Sequence, residues 1–412
     1  MDALKSRVAR SDYPWILIGL LWLVAFFNAA DRSIIVAVMP QIGAEYNLTN
    51  TELALLNSVF FWVYAVAAFL SGRMGDSVRR SRIIIYGLIF WSMSTGLTAL
   101  STGFAMLLAF RGLVAMGEAT YYPTATALIS DWHLPRWRSR ALSLHQTGVF
   151  AGAGLGAFFA GFLADQYSWH APFFVFAVAG IVHAVLLLYL LHDAPAAPQT
   201  EEKSEPLGVI LRIKPAMLLC AVFFLANGAS TGVTVWAPTY VHDALKLDLA
   251  GSALVGSATI NIAGFLTVPL GGYLADTLAK HSPIGRFYTL AIGLTIAAIL
   301  LLPLMAVSTA AGVGLVLVAT SFGKGLFDGC IYSAMHDVVP PHARATAVGA
   351  MTMIGFFGAG ITPILVAQIS EHFSMVAGMT SLAGLYVIAV ALLLLYRNST
   401  RDAVLANANE AH

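Results

Sequence analysis

Residues 193–214 read DAPAAPQTEEKSEPLGVILRIK, and this one stretch divides an otherwise almost continuous run of membrane sequence. Its prolines, acidic residues and polar residues cannot continue an apolar helix, and the short basic apolar piece at its end suits an interfacial helix. It reads as a cytoplasmic linker. An N-terminal bundle over 1–192 precedes it, a C-terminal bundle over 215–397 follows, and 398–412 form a tail. Apolar runs of about 20 residues, the length a helix needs to cross a bilayer, recur six times on each side. The expected spans are 14–39, 53–72, 82–102, 105–130, 140–163 and 170–192, then 215–238, 251–275, 286–308, 310–335, 345–369 and 376–397. Of the 412 residues 58% are hydrophobic and only 10% are charged, against about 25% charged in a soluble domain. The chain is therefore expected to be an all-α polytopic membrane protein with 12 transmembrane helices.

Orientation follows from Lys and Arg placement. With the N-terminus inside, 18 of the 22 basic residues fall on the cytoplasmic side. Only Lys246 falls outside, and Arg32, Arg111 and Lys324 lie within spans. Both termini are expected in the cytoplasm and the chain in the inner membrane. The first span, about 25 residues long, exceeds a signal-peptide core and no secreted domain follows it, so it is expected to stay. Cys220 and Cys330 both fall in apolar spans and read as small buried residues. The net charge of +1 gives no pull toward nucleic acid.

The two groups of six spans look like a duplication. GRMGD at 72–76 follows the second span and GYLAD at 272–276 follows the eighth. Asp131 precedes Pro135, Arg138 and Arg140 after the fourth span, and Asp337 precedes Pro340, Pro341 and Arg344 after the tenth. The same alignment sets Gly117-Glu118 over Gly323-Lys324. Two pseudo-symmetric six-helix bundles joined by a cytoplasmic linker resemble the major facilitator superfamily fold. GRMGDSVRR at 72–80 resembles the loop 2–3 signature of that superfamily, although Ser77 and Val78 stand where a basic and a variable residue are usual. The resemblance implies that Gly72, Asp76, Arg79 and Arg80 form a conformational gate, with Asp276 as the weaker echo. In it the Asp meets a helix N-terminus of the other half, a contact worth about 0.3–1 kcal/mol.

A narrower likeness sits in two helices. FFNAADRSIIVAVMP at 26–40 and RGLVAMGEATYYPTATALISD at 111–131 resemble the Spinster family of lipid transporters, on the strength of Asp31-Arg32 and the Arg111…Gly117-Glu118-Ala119 block. The aromatic usual shortly before Asp-Arg is missing, because Ala29-Ala30 follow Asn28. Tyr122-Pro123 leans toward the anion:cation symporter family, which shares a similar arrangement. The Spinster resemblance implies that Asp31, Arg111 and Glu118 handle protons and an anionic headgroup.

The charges themselves argue for a transport path. A charge at the bilayer centre costs roughly 2.5–3.5 kcal/mol even on lenient insertion scales, so it is kept where it faces a wet cavity or a partner. Arg111 and Glu118 are seven residues apart and share a helix face, roughly 10 Å apart along the axis. Depth sets Asp31 near the level of Arg111, so an Asp31–Arg111 pair with Glu118 below it is expected. Arg32 could equally snorkel to the outer headgroups. Lys324 and Asp328 can bridge on one face, yet Lys324 is also the repeat partner of Glu118. His145, His183 and His336 read as packing residues, each able to titrate near neutrality. The glycine run at 148–161 allows close helix approach, expected at a rocking interface.

Nothing points to an enzyme. The chain has no GxxxxGK[ST] loop and no HExxH, so no cofactor and no metal are expected. Amides are few within the spans and aromatics are many, which favours an amphipathic, anionic, lipid-like cargo. The expected function is proton-coupled secondary transport by alternating access, as a monomer. Asp31 and Glu118 would carry the proton. Arg111, Glu118, Asp31, Lys324 and Tyr122 would form the substrate site. The competing readings are a symporter of small organic anions and a receptor or scaffold on the same fold.

Overall fold

The computed structural model describes residues 12–74, 79–133, 135–194, 212–340 and 343–410, and these residues are overwhelmingly helical. Among the described residues ten helices are long and apolar enough to cross a membrane. The remaining two of the twelve expected spans are the third, Arg80–Thr98, and the fourth, which is divided into Phe104–Glu118 and Tyr121–Trp132. Pro123 explains the division. It has no N–H to give the carbonyl of Ala119, so the ladder stops one turn before it. Thr120 instead donates its N–H to Gly117 O in a tighter turn.

Tethers at both ends show how the first six spans run. Tyr46, at the end of the first span Tyr13–Tyr46, donates to Ser101 O ahead of the fourth span (2.7 Å). Trp169, ahead of the sixth span His170–Leu190, donates to Glu45 (2.6 Å). At the opposite end Tyr13 donates to Leu190 O (2.9 Å), and Trp132 donates to His192 O (3.1 Å). Ser81 at the start of the third span donates to Asp193 at that same end (2.7 Å), so the first, third, fourth and sixth spans run between the same two ends, including the two that fail a simple length-and-hydropathy test.

The internal repeat is physical. Arg80 pairs with Asp131 in the first half, and Arg286 pairs with Asp337 (2.6 Å) in the second, each residue 206 positions from its counterpart. The first and seventh spans end alike. Asn47 and Lys246, 199 positions apart, are the only non-glycine residues with positive φ among the described residues, and each caps its helix in the left-handed region.

The glycine run of the fifth span (Pro135–Gln166) is split between two neighbours. A Cβ on Gly156 would stand 2.6 Å from Ala30 Cα, so this face lies directly on the first span. Gly161 faces Leu249 of the eighth span Leu249–Ala279 just as closely. The expectation of a rocking interface fits only this second face.

The two halves are tied at the end away from the termini. Asp165 accepts the backbone N–H groups of Leu249 (3.2 Å) and Ala250 (2.9 Å) at the start of the eighth span. Thr51 donates to Glu371 (2.8 Å), and Asn50 donates to Ser370 (3.0 Å). Asp165 and Glu371 are also 206 positions apart, so repeat-equivalent acids reach across in both directions. The linker expected at 193–214 falls mostly on 195–211, outside the described residues.

Candidate functional site

A cavity of about 170 Å³ lies between the halves, and Arg32 and Arg111 project into it from the first. Arg32 belongs to the first span, where it lies one turn after Asn28 and beside Asp31. Its Nε donates to Glu118 Oε2 (2.6 Å) and its Nη2 to Asn28 Oδ1 (2.6 Å). The guanidinium lies 4.6 Å from the Tyr64 ring centroid, and that of Arg111 lies 4.7 Å from the Phe60 centroid. Such cation–π contacts hold a cation in place without neutralising it.

This pairing corrects the expected one. No Asp31–Arg111 ion pair forms among the described residues. Asp31 is turned toward the third span, where its Oδ2 accepts from Thr95 (3.3 Å). The physical reason is helical phase, since neighbouring residues point about 100° apart and the first span presents Arg32, rather than Asp31, to the fourth. The alternative in which Arg32 snorkels to the outer headgroups is likewise replaced by a bond to Glu118.

The cavity lining, rather than burial, separates the charged residues into two layers, for Arg111 lines it although it is only 2% exposed. Arg32 retains 27% of its side-chain exposure. Asp31 at 3% and Glu118 at 0% lie behind the cavity wall, and neither lines it. Asp31 Oδ1, Glu118 Oε1 and Arg111 Nε are buried without a hydrogen-bond partner. Native proteins leave few such atoms. All three belong to one charged cluster beside the cavity.

Lys324 stands apart from the guanidiniums. It donates to Asp328 (2.5 Å), as the i,i+4 spacing allows, and lines a pocket of about 10 Å³ that shares Ser230 and Thr234 with the main cavity. Tyr122 donates to Gln146 (2.5 Å) and does not line either pocket. Tyr121, its neighbour, donates to Leu21 O and contacts His145. His145 and His183 are buried packing residues, as expected. Cys220 and Cys330 are free and buried. No group of His, Cys, Asp and Glu among the described residues could hold a metal ion.

The expected gate residues are described only in part. Asp76 lies outside the described residues. Gly72 ends up inside the second-span helix Asn50–Met74, Arg79 caps the third span, and Arg80 holds Asp131. Asp276 accepts from Arg286 (3.0 Å) within its own half. What the sequence reading passed over is the hydroxyls of the opposite cavity wall, those of Ser230, Thr231, Thr234 and Ser257 beside the Asn261 amide. Counting amides alone could not find them, and a count of hydroxyls at helical spacing in the seventh and eighth spans could have.

The family model of the Major Facilitator Superfamily matches residues 21–363 and, in an overlapping match, 284–412. The chain belongs to the major facilitator superfamily. That family is one of membrane transporters rather than enzymes. The chain is similar to the crystal structure of a bacterial homolog of the human lysosomal transporter Spinster, in an inward-facing and occupied conformation. That likeness has a TM-score of 0.85 at 19% identity and covers 95% of this chain and 99% of the other. It is 29% identical to Protein spinster of Drosophila melanogaster over 388 residues, which is 89% of this chain but only 63% of that one. It is 27% identical to the Hexuronate transporter of Bacillus subtilis (strain 168) over 92% of this chain and 94% of the other.

Proposed function

We propose that the chain is a proton-coupled carrier of an anionic substrate, working by alternating access. The observation that carries this reading is the 2.6 Å bond from Arg32, at the cavity wall, to the fully buried Glu118. A guanidinium offers a planar fork to a carboxylate or phosphate, and a bond to Glu118 occupies part of that fork. Protonating Glu118 removes its claim on Arg32. The substrate anion then takes the vacated donors, with Arg111 beside them. Proton and anion therefore enter the site together and leave it together. Asp31 bears the same relation to Arg111 through its charge, one layer behind the cavity.

The anion could belong to a lipid-like amphiphile or to a small organic acid. The Spinster relatives support the first, and the relative named for hexuronate transport supports the second. Both carry the group that Arg32 and Arg111 would hold. On this reading Asp76 would meet a helix N-terminus of the second half and lock the opposite end, and Lys324 would be a reserve cation. The chain would sit in the inner membrane as a monomer with both termini in the cytoplasm, its halves joined by the 193–214 linker.

The test is ligand affinity and uptake against pH for wild type, Glu118→Gln and Asp31→Asn. The wild-type protein should bind anion more tightly as pH falls. Glu118→Gln mimics the protonated state, so it should bind well at every pH and lose uptake driven by a proton gradient. Normal pH-dependent uptake by both variants would sink the proposal.

A further inference from the structure

Beside the two guanidiniums the halves meet through aromatic rings. Phe60, Phe61 and Tyr64 share one face of the second span. Phe60 and Tyr64 stack at 5.8 Å. Tyr64 stacks in turn on Phe356 of the eleventh span Arg344–His372, at 4.8 Å with the planes 24° apart. Phe61 touches the same Phe356 ring at 5.9 Å. One turn further along the eleventh span, Gly360 lies against Trp62 so closely that a Cβ there would stand 2.3 Å from the indole Nε1. The eleventh span thus runs at contact distance from the second, and Phe356 reaches into the first half.

What Phe356 reaches is the seat of the charges. Phe60, Tyr64, Val114, Ala115 and Ala119 form a small buried cluster, and among the described residues Phe356 is the one second-half residue packed against it. The rings of this cluster carry the cations. Arg111 lies over Phe60 at 4.7 Å, and Arg32 lies over Phe60 at 5.5 Å and over Tyr64 at 4.6 Å. Ala115 and Ala119 flank Glu118 on the fourth span. Neither Tyr64 nor Phe356 lines the cavity. Contact therefore runs from Glu118 to Arg32, from Arg32 to Tyr64, and from Tyr64 to Phe356 across the boundary between the halves. Around Glu118 stand Arg32 and Asp31 of the first span and Arg111 of its own, and the second span adds Tyr64 beside Arg32. The third span has no charged residue after Arg82.

We infer that Phe356 is a positioning residue, the one through which the state of the Arg32–Glu118 bond reaches the second half. The inference rests on the proton-coupled reading above and names the part that links the proton to movement. While Glu118 holds Arg32, the guanidinium holds the Tyr64 ring where Phe356 stacks on it, and the halves keep this approach. When Glu118 takes a proton and releases Arg32, the Tyr64 ring loses its cation, the stack loosens and the halves shift. By reciprocity, parting the halves withdraws Phe356 and loosens the grip of Arg32 on Glu118. A ring stack suits this role. Its hold depends on orientation, and its partners separate without leaving an unpaired polar group.

The experiment is a double-mutant cycle on purified full-length protein, read on a conformational signal and without substrate. Cys220 and Cys330 are buried, so Ser230→Cys on the cavity wall supplies the reporting thiol. Its rate of modification by a small methanethiosulfonate measures how open the cavity is. Glu118→Gln mimics the protonated state and should change that rate by at least about fivefold. In Phe356→Leu, which keeps apolar bulk and loses the ring, Glu118→Gln should change it by less than about twofold. Tyr64→Leu should behave in the same way, and it decides the matter where Phe356→Leu fails to fold. Phe356→Tyr keeps the ring and should keep the full response. Phe150→Leu is the control for a merely structural role, because Phe150 meets Phe265 across the same boundary at 6.1 Å but lies outside the cluster. Its response to Glu118→Gln should match wild type. A full response in Phe356→Leu, or an equal loss in Phe150→Leu, overturns the inference and leaves the carrier reading intact. No response to Glu118→Gln in the wild-type background overturns both.

Discussion

Arg32 serves two claimants, Glu118 behind it and the cavity in front. Arg32→Lys keeps the charge but loses the planar fork, so one ammonium cannot satisfy Glu118, Asn28 and an anion together. Anion affinity should fall by about tenfold, the equivalent of roughly 1.4 kcal/mol. Equilibrium binding of D-glucuronate checks this, and wild-type affinity in Arg32→Lys would leave Arg111 as the sole anion residue. The sequence made the charges legible but not their partners. Asp31 and Arg32 are adjacent, and depth along a helix treats them alike, whereas rotation separates them by about 100°. Rotation is set by packing, here by Thr95 on one side and Glu118 on the other. The hydroxyl wall was hidden for a different reason. Serine and threonine in membrane helices usually satisfy themselves, so their presence in a sequence says little until one of them is seen not to.

At the level of helices, contact distance decides what can change. Gly156 touches the backbone of Ala30, and Gly19 has nothing within 4 Å. Gly156→Val must push the first and fifth spans apart and should cost about 1–3 kcal/mol. Gly19→Ala should be neutral or slightly stabilising. Thermal unfolding in detergent separates them, and equal melting temperatures would contradict the close packing. The tie at the far end is a second helix-level device. Asp165 serves two N–H groups at a helix N-terminus, where a full negative charge is worth about 0.3–1 kcal/mol. Asp165→Asn should therefore raise, by about two- to fivefold, the rate at which a cysteine at position 230 is modified from that side. An unchanged rate would make the contact ornamental. Spans of this kind are readable from sequence because lipid demands about 20 apolar residues from each. The broken fourth span was harder to read, because apolar length conceals the stop that Pro123 imposes.

For the whole molecule the repeat is the governing fact. Equivalent positions carry equivalent contacts at the ends, Arg80–Asp131 beside Arg286–Asp337 and Asp165 beside Glu371. Equivalent positions in the middle carry unlike chemistry, Arg32 against Thr231 and Glu118 against Lys324. On the alternating-access reading proposed above, the matched ends would suit symmetrical rocking and the unlike centre would suit one cargo. If Asp76 locks one end as Asp165 ties the other, Asp76→Asn should shift the population the opposite way from Asp165→Asn. Paired accessibility measurements at the two mouths test that opposition, and shifts in the same direction would refute it. The Arg32–Glu118 bond has an electrical corollary. On the proton-coupled reading proposed above, each turn of the carrier would exchange one carboxylate charge for one cargo charge on the same guanidinium, with a proton as the difference. A monovalent anion would then cross with no net charge moved. A membrane potential acts with about 2.3 kcal/mol per elementary charge per 100 mV, and it would find nothing to pull on. Uptake into liposomes should follow the pH gradient and ignore an imposed potassium diffusion potential. A divalent cargo, by contrast, should generate current.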